Sequence, residues 1–234
     1  MCSSVGDTSP VDPQPGTRIR DAFTSGPLQS RQFRLLFSAR GVSVFGNFIA
    51  PTALAFAVLD LTGSATDLGV VLAARSIPQI FFILAGGIWS DRLPRHLVMV
   101  MSSLAMGAAQ LISALLLLAH AAELWHLAAM QVIWGIGFAF FFPASTGLVP
   151  QTVERDHLQQ ANALLRLTLN TARVGGAAVG GLLVASIGAG WALALDALTF
   201  FVSAGLLGRM KIAMEERLET PNFLHVLKEG CRDF

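Results

Sequence analysis

From Arg31 onward, polar residues fall into short clusters separated by long apolar runs. The runs cover residues 33–60, 66–88, 96–119, 125–149, 157–186 and 190–209. A helix needs about 20 apolar residues to cross a bilayer, so the pattern predicts six transmembrane helices and an all-α integral membrane protein. Start signals accompany two of them. Ser64 and Asp67 form an S-x-x-D pattern before the second run, able to satisfy free backbone N–H groups. Asp156 with Gln159 predicts a similar cap for the fifth.

Charge sets a direction across the membrane. The connections DLTGSATD, HAAELWH and SIGAGW contain no Lys or Arg. The alternate connections and both ends hold Arg18, Arg20, Arg31, Arg34, Arg92, Arg95, Arg155, Arg209, Lys211, Arg217, Lys228 and Arg232. Positive charge accumulates on the cytoplasmic side. Both termini are therefore expected in the cytoplasm, in a multi-pass protein of the cell membrane.

Composition agrees, with 53% hydrophobic and 13% charged residues. A net charge of +1 suggests no nucleic-acid partner. Cys2 and Cys231 lie at opposite ends of the chain, so neither a disulfide framework nor a metal site is indicated, and no cofactor is expected. Residues 1–30 are rich in Pro, Ser, Gly and Asp and lack the apolar region of a signal peptide. They read as a disordered cytosolic tail. Residues 31–210 read as the six-helix bundle, and residues 211–234 as a cytosolic linker where the chain is truncated.

The turn GGIWSDRLPRH at 86–96 is unusually charged for its surroundings. Gly87 permits close approach of another helix. Asp91, flanked by Arg92 and Arg95, can pair with a neighbouring helix end or charge in one conformation and release it in another. The plainer alternative is an ordinary positive-inside turn. The stretch resembles the G-x-x-x-D-R-x-x-R signature of major facilitator superfamily transporters, carried by Gly87, Asp91, Arg92 and Arg95, with Pro94 at a usual glycine and His96 at the final basic position. The resemblance covers about residues 32–234. FRLLFSARGVSVFGN, ALAFAVLDLTGSATDLG and FFFPASTGLVPQTV look like the branch with siderophore exporters and macrolide efflux proteins. TARVGGAAVGGLL resembles the fifth-helix glycine motif of drug–proton antiporters through Gly176, Gly180 and Gly181, with Ala177 at its proline. The family's fourth-helix arginine falls at Gln131. The resemblance implies the six-helix half of a twelve-helix fold, built as 3+3 inverted repeats, in which the loop at 87–95 acts as a conformational latch.

Ionisable residues at membrane depth are costly and face protein or water. Asn162, Arg166, Asn170 and Arg173 share one face of the fifth helix by their spacing. Arg40, Ser43, Asn47 and Pro51 align on the first. Arg75 and Arg173 meet an anionic substrate, pair with Asp196, form structural pairs, or bind the other half of a transporter. Arg40 and Arg166 can reach the cytosolic surface by snorkelling. Asp196 is a proton site or a buried structural partner. The resemblance places Asn47 on the central cavity, where related sequences often carry an acidic residue. Trp134, Phe138, Phe140, Phe141 and Phe142 contact a bulky substrate or pack against lipid and helices. Small residues at 175/176 and 180/181 favour close helix contact.

The leading function is secondary active transport: proton-coupled efflux of a small amphipathic molecule, such as a drug, antibiotic or siderophore-like compound, by alternating access. The expected partners are lipid, a small-molecule substrate, a proton, and a missing C-terminal half or a second copy of the chain. The alternative is a truncated, non-transporting partner-binding protein. A membrane enzyme is not expected: His120, Glu123 and His126 lack the H-E-x-x-H spacing of a zinc site.

Overall fold

The computed structural model describes residues 26–90 and 94–210. It contains α1 (Arg31–Thr62), α2 (Ala65–Ser90), α3 (Arg95–Leu118), α4 (Leu124–Leu148), α5 (Leu158–Ile187) and α6 (Ala189–Gly208). Each predicted boundary is displaced by no more than two residues. Among the described residues, six helices are long and apolar enough to cross a membrane.

Local chemistry fixes the ends. The Phe33 N–H donates to Ser30 Oγ at 3.3 Å, starting α1. Gly63, at φ 66°, ends it in the left-handed conformation that glycine adopts without Cβ strain. The Asp67 N–H donates to Ser64 Oγ at 3.2 Å, the cap expected for α2. Ser64→Ala should therefore cost about 1 kcal/mol, read as a lowered thermal midpoint of the purified protein. The cap expected from Asp156 and Gln159 does not form. Asp156 sits in a 3-10 turn, Arg155–His157, and His157 caps α5 without a side-chain hydrogen bond. The turn displaces the start of the helix, so the spacing no longer matches. Residues 26–30 also differ from the predicted tail: Pro27–Gln29 form a 3-10 turn leading into α1. Residues 1–25, and the predicted linker at 211–234, lie outside the described residues.

The packing order reveals a symmetry. α2 packs on α4 as α5 packs on α1; α3 packs on α4 as α6 packs on α1; and α3 and α6 pack on each other. Exchanging α1 with α4, α2 with α5 and α3 with α6 leaves these pairings unchanged. Successive spans alternate direction, so three-helix units that follow one another run in opposite senses. This is the 3+3 inverted repeat that the family resemblance implies.

Glycines set the close approaches. A Cβ on Gly135 of α4 would collide with the Arg75 carbonyl oxygen of α2. In the symmetry-related contact, a Cβ on Gly180 of α5 would lie 3.1 Å from the Ile49 Cα of α1, and one on Gly176 would meet Phe48. Gly181, the third residue of the predicted motif, has nothing within 4 Å of such a Cβ. The main apolar core joins Phe33, Leu36, Met99, Met106, Trp134 and Phe200. α2 and α5 stand at the flanks, and most of their apolar length is unburied, with Phe81 71% and Val174 77% exposed.

Candidate functional site

Two polar groupings occupy the middle of the bundle. The first is buried and crosses α3, α4 and α6. Gln110 Nε2 donates to Asp196 Oδ2 at 2.6 Å, and Gln131 Nε2 donates to Gln110 Oε1 at 3.3 Å. All three side chains are fully buried. Asp196 Oδ1, Gln131 Oε1 and Trp134 Nε1 have no hydrogen-bond partner among the described residues. A Cβ on Gly46 would meet Thr199 Oγ1 and Asp196 Oδ1, so α1 presses its bare backbone against this part of α6. Among the described residues, Asp196 is the only carboxylate in the interior of a membrane-length helix away from its ends.

The second grouping is cationic and partly open. Arg75 Nη2 donates to Asn47 Oδ1 at 3.0 Å, and the Arg75 guanidinium lies 3.4 Å from the centre of the Trp134 ring. Cation–π attraction of this kind offsets part of the cost of holding a guanidinium away from water. No ion pair joins Arg75 to Asp196; they hydrogen-bond to Asn47 and Gln110 respectively. The pair allowed by the sequence is thus replaced by Asn47 and Trp134. On the symmetry-related side, the Arg173 guanidinium of α5 lies 5.9 Å from the centre of the Phe48 ring of α1. Both arginines therefore reach consecutive residues, Asn47 and Phe48. Asn162, Arg166, Asn170 and Arg173 are all exposed on α5. Arg40, on α1, is only partly buried.

The latch is described only in part. Gly87 falls near the end of α2, while Asp91 and Arg92 lie outside the described residues. Arg95 opens α3, and its Nη1 donates to the Gly147 carbonyl near the C-terminus of α4. A guanidinium there satisfies an orphan carbonyl and complements the negative helix end. Arg95→Ala should lower stability by about 1–2 kcal/mol, measured by thermal unfolding. Arg95→Lys should recover only part of that, because an ammonium lacks the planar fork.

Gln110 escaped the sequence reading although it sits inside an apolar helix like Asp196. The same signal, a lone polar residue in an apolar run, marks it. Trp134 was assigned to packing or a bulky substrate; it is buried and carries the Arg75 cation. Phe142 is exposed, and Phe138 stacks on Trp134 with ring centres 5.2 Å apart. Glu123 and His126 have a local role at the head of α4, while His120 lies in the turn after α3, its N–H donating to the Leu117 carbonyl. The Glu123 N–H donates to His126 Nδ1 at 3.2 Å, closing a capping box.

Comparison with known proteins places this geometry in context. A family model described as transmembrane secretion effector matches residues 22–233. The MFS-type transporter YfiS of Bacillus subtilis (strain 168) is 26% identical over 203 residues, 84% of this chain and 48% of that protein. Macrolide efflux protein A of Streptococcus pyogenes is 26% identical over 204 residues, 85% of this chain and 50% of that protein. Enterobactin exporter EntS of Shigella boydii serotype 18 is 27% identical over 177 residues, 73% of this chain and 41% of that protein. The chain spans about half the length of the curated relatives it matches. The matched relatives are transporters, not enzymes.

Proposed function

The chain belongs to the major facilitator superfamily, and from that premise we propose that it supplies the N-terminal six-helix half of an exporter for a small amphipathic molecule. One observation carries this reading: α5 leaves Asn162, Arg166, Asn170 and Arg173 exposed along a membrane-length helix. Such residues are expelled from lipid, so their face borders water or protein. A cleft between two six-helix units supplies both. The second unit is the C-terminal half of the same transporter or a second copy of this chain. It closes over α2 and α5, and rocking of the two units opens the cleft to each side in turn.

The end carrying Arg95 and Arg155 faces the cytoplasm of the cell membrane, by the positive-inside rule. Asp91, Arg92 and Arg95 form the latch there. Asp196 carries the coupling proton: it is a buried carboxylate with one free oxygen, pressed against α1 beside Asn47. The names of the relatives point to drug-, antibiotic- or siderophore-like cargo.

An accumulation assay tests this. Cells producing the complete transporter should hold less of an exported compound than control cells, and a protonophore should abolish the difference. Asp196→Asn should remove the protonophore sensitivity, and Asp91→Asn should slow export at least about tenfold. Equal accumulation in control and producing cells across macrolide, dye and siderophore-like compounds would overturn the reading.

A further inference from the structure

We propose that Arg75, with Asn47 and Gln79, forms a one-cation site for the anionic head of an amphipathic organic acid, whose apolar body extends along Pro51 and Leu72. The inference rests on the cleft proposed above and names the class of its cargo.

Donor accounting is the first argument. A guanidinium carries five N–H donors. Among the described residues Arg75 spends one nitrogen, Nη2, on Asn47 Oδ1, and one face of the group lies on the Trp134 ring. None of its nitrogens is both sealed from solvent and without a partner. Nε and Nη1 therefore keep N–H groups that reach accessible surface. The side-chain nitrogens of Asn47 and Gln79, both half-buried, are likewise unsealed. Gln79 stands one turn from Arg75 on the same face of α2. A cation flanked by amide donors matches a carboxylate or sulfonate, groups that only accept.

Bracing is the second. Trp134 is buried, stacks on Phe138 and meets Phe200 edge-on. Its ring is fixed, so the guanidinium on it is held in place before an anion arrives. A donor set positioned in advance loses little freedom on binding. The one carboxylate at membrane depth among the described residues, Asp196, is fully buried and held by Gln110. It cannot take the open N–H groups without breaking that bond.

Direction is the third. α1 and α2 are consecutive and run in opposite senses, and the Arg75–Asn47 hydrogen bond ties them together. Pro51 lies one turn after Asn47 on α1, and Leu72 one turn before Arg75 on α2. Both steps lead from that bond toward the turn at 63–64, and each keeps to the face of its polar neighbour. Pro51 is exposed, and Leu72 is 40% exposed. Apolar surface thus adjoins the cation on the same side of both helices. An inorganic anion would leave it bare, whereas an amphipathic acid covers it.

Three probes separate the charge from the apolar body. 2-Naphthoate is an amphipathic acid, 2-naphthamide is its neutral counterpart, and acetate is an anion without the rings. With the complete transporter in lipid nanodiscs, naphthoate should bind saturably, at least about tenfold more tightly than either naphthamide or acetate. Arg75→Gln should abolish the preference over naphthamide. Leu72→Ser, at an exposed site, should weaken naphthoate about threefold and leave acetate unchanged. Arg155→Gln, which removes a charge from the turn before α5, should alter neither. Equal binding of naphthoate and naphthamide to the parent would overturn the site, as would a preference that survives Arg75→Gln. Naphthoate binding unmoved by Leu72→Ser would overturn its apolar wall. Export of any compound in the accumulation assay, alongside such a result, overturns the acid site alone; absence of all export overturns the reading on which it rests.

Discussion

Gly135→Ala is expected to be among the most damaging single-methyl additions in the bundle. The new Cβ would collide with the Arg75 carbonyl oxygen, a backbone atom that no rotamer change can move. α2 has α4 as its main neighbour, so forcing the two apart loosens the whole helix and displaces Arg75 from Trp134. Overpacking typically costs about 1–3 kcal/mol, and the upper end applies here because backbone must yield. The thermal midpoint of purified protein should fall sharply, and the variant should be recovered in low yield. Gly181→Ala is the matched control. Its Cβ meets nothing within 4 Å, so the change should be neutral or gain up to about 1 kcal/mol from helix propensity.

Gln110→Leu is the second large effect. It removes the 2.6 Å hydrogen bond to Asp196 Oδ2, whose other oxygen already lacks a partner, and it also strands the Gln131 amide. Unsatisfied buried polar groups cost about 1–3 kcal/mol each, more when charged. A loss of about 3–4 kcal/mol is therefore expected, read by thermal or denaturant unfolding. Adding Asp196→Leu to this variant should restore at least half of it, because removing both partners costs less than stranding one. A double variant as unstable as Gln110→Leu alone would show that the two side chains are not coupled.

The six spans were legible because apolar length and terminal chemistry act locally. Ser64 and Gly63 mark a boundary whatever packs against it. The failed cap at Asp156 shows the limit: a 3-10 turn shifted the register by less than a helical turn, and spacing alone does not see it. The candidate site was half legible. Asn47, Arg75, Gln131 and Asp196 stand out as polar residues in apolar helices, but which one meets which depends on the packing order of six helices. The α2–α4 and α1–α5 pairings put Arg75 on Trp134 and Arg173 near Phe48, and no periodicity within one helix reports that. Gly46 and Gly135 are similarly silent in sequence, because their importance lies in what approaches them from another helix.

The central claim is that the polar face of α5 borders water at membrane depth. Thiol labelling tests it most directly. In a background with Cys2 and Cys231 changed to serine, Asn170→Cys on α5 and Leu115→Cys on α3 place single thiols at exposed positions in apolar helices. With the complete transporter in membranes, a charged, membrane-impermeant thiol reagent should modify Asn170→Cys readily and leave Leu115→Cys essentially unreacted. Equal protection of both thiols would place α5 against lipid or dry protein, and would contradict the cleft.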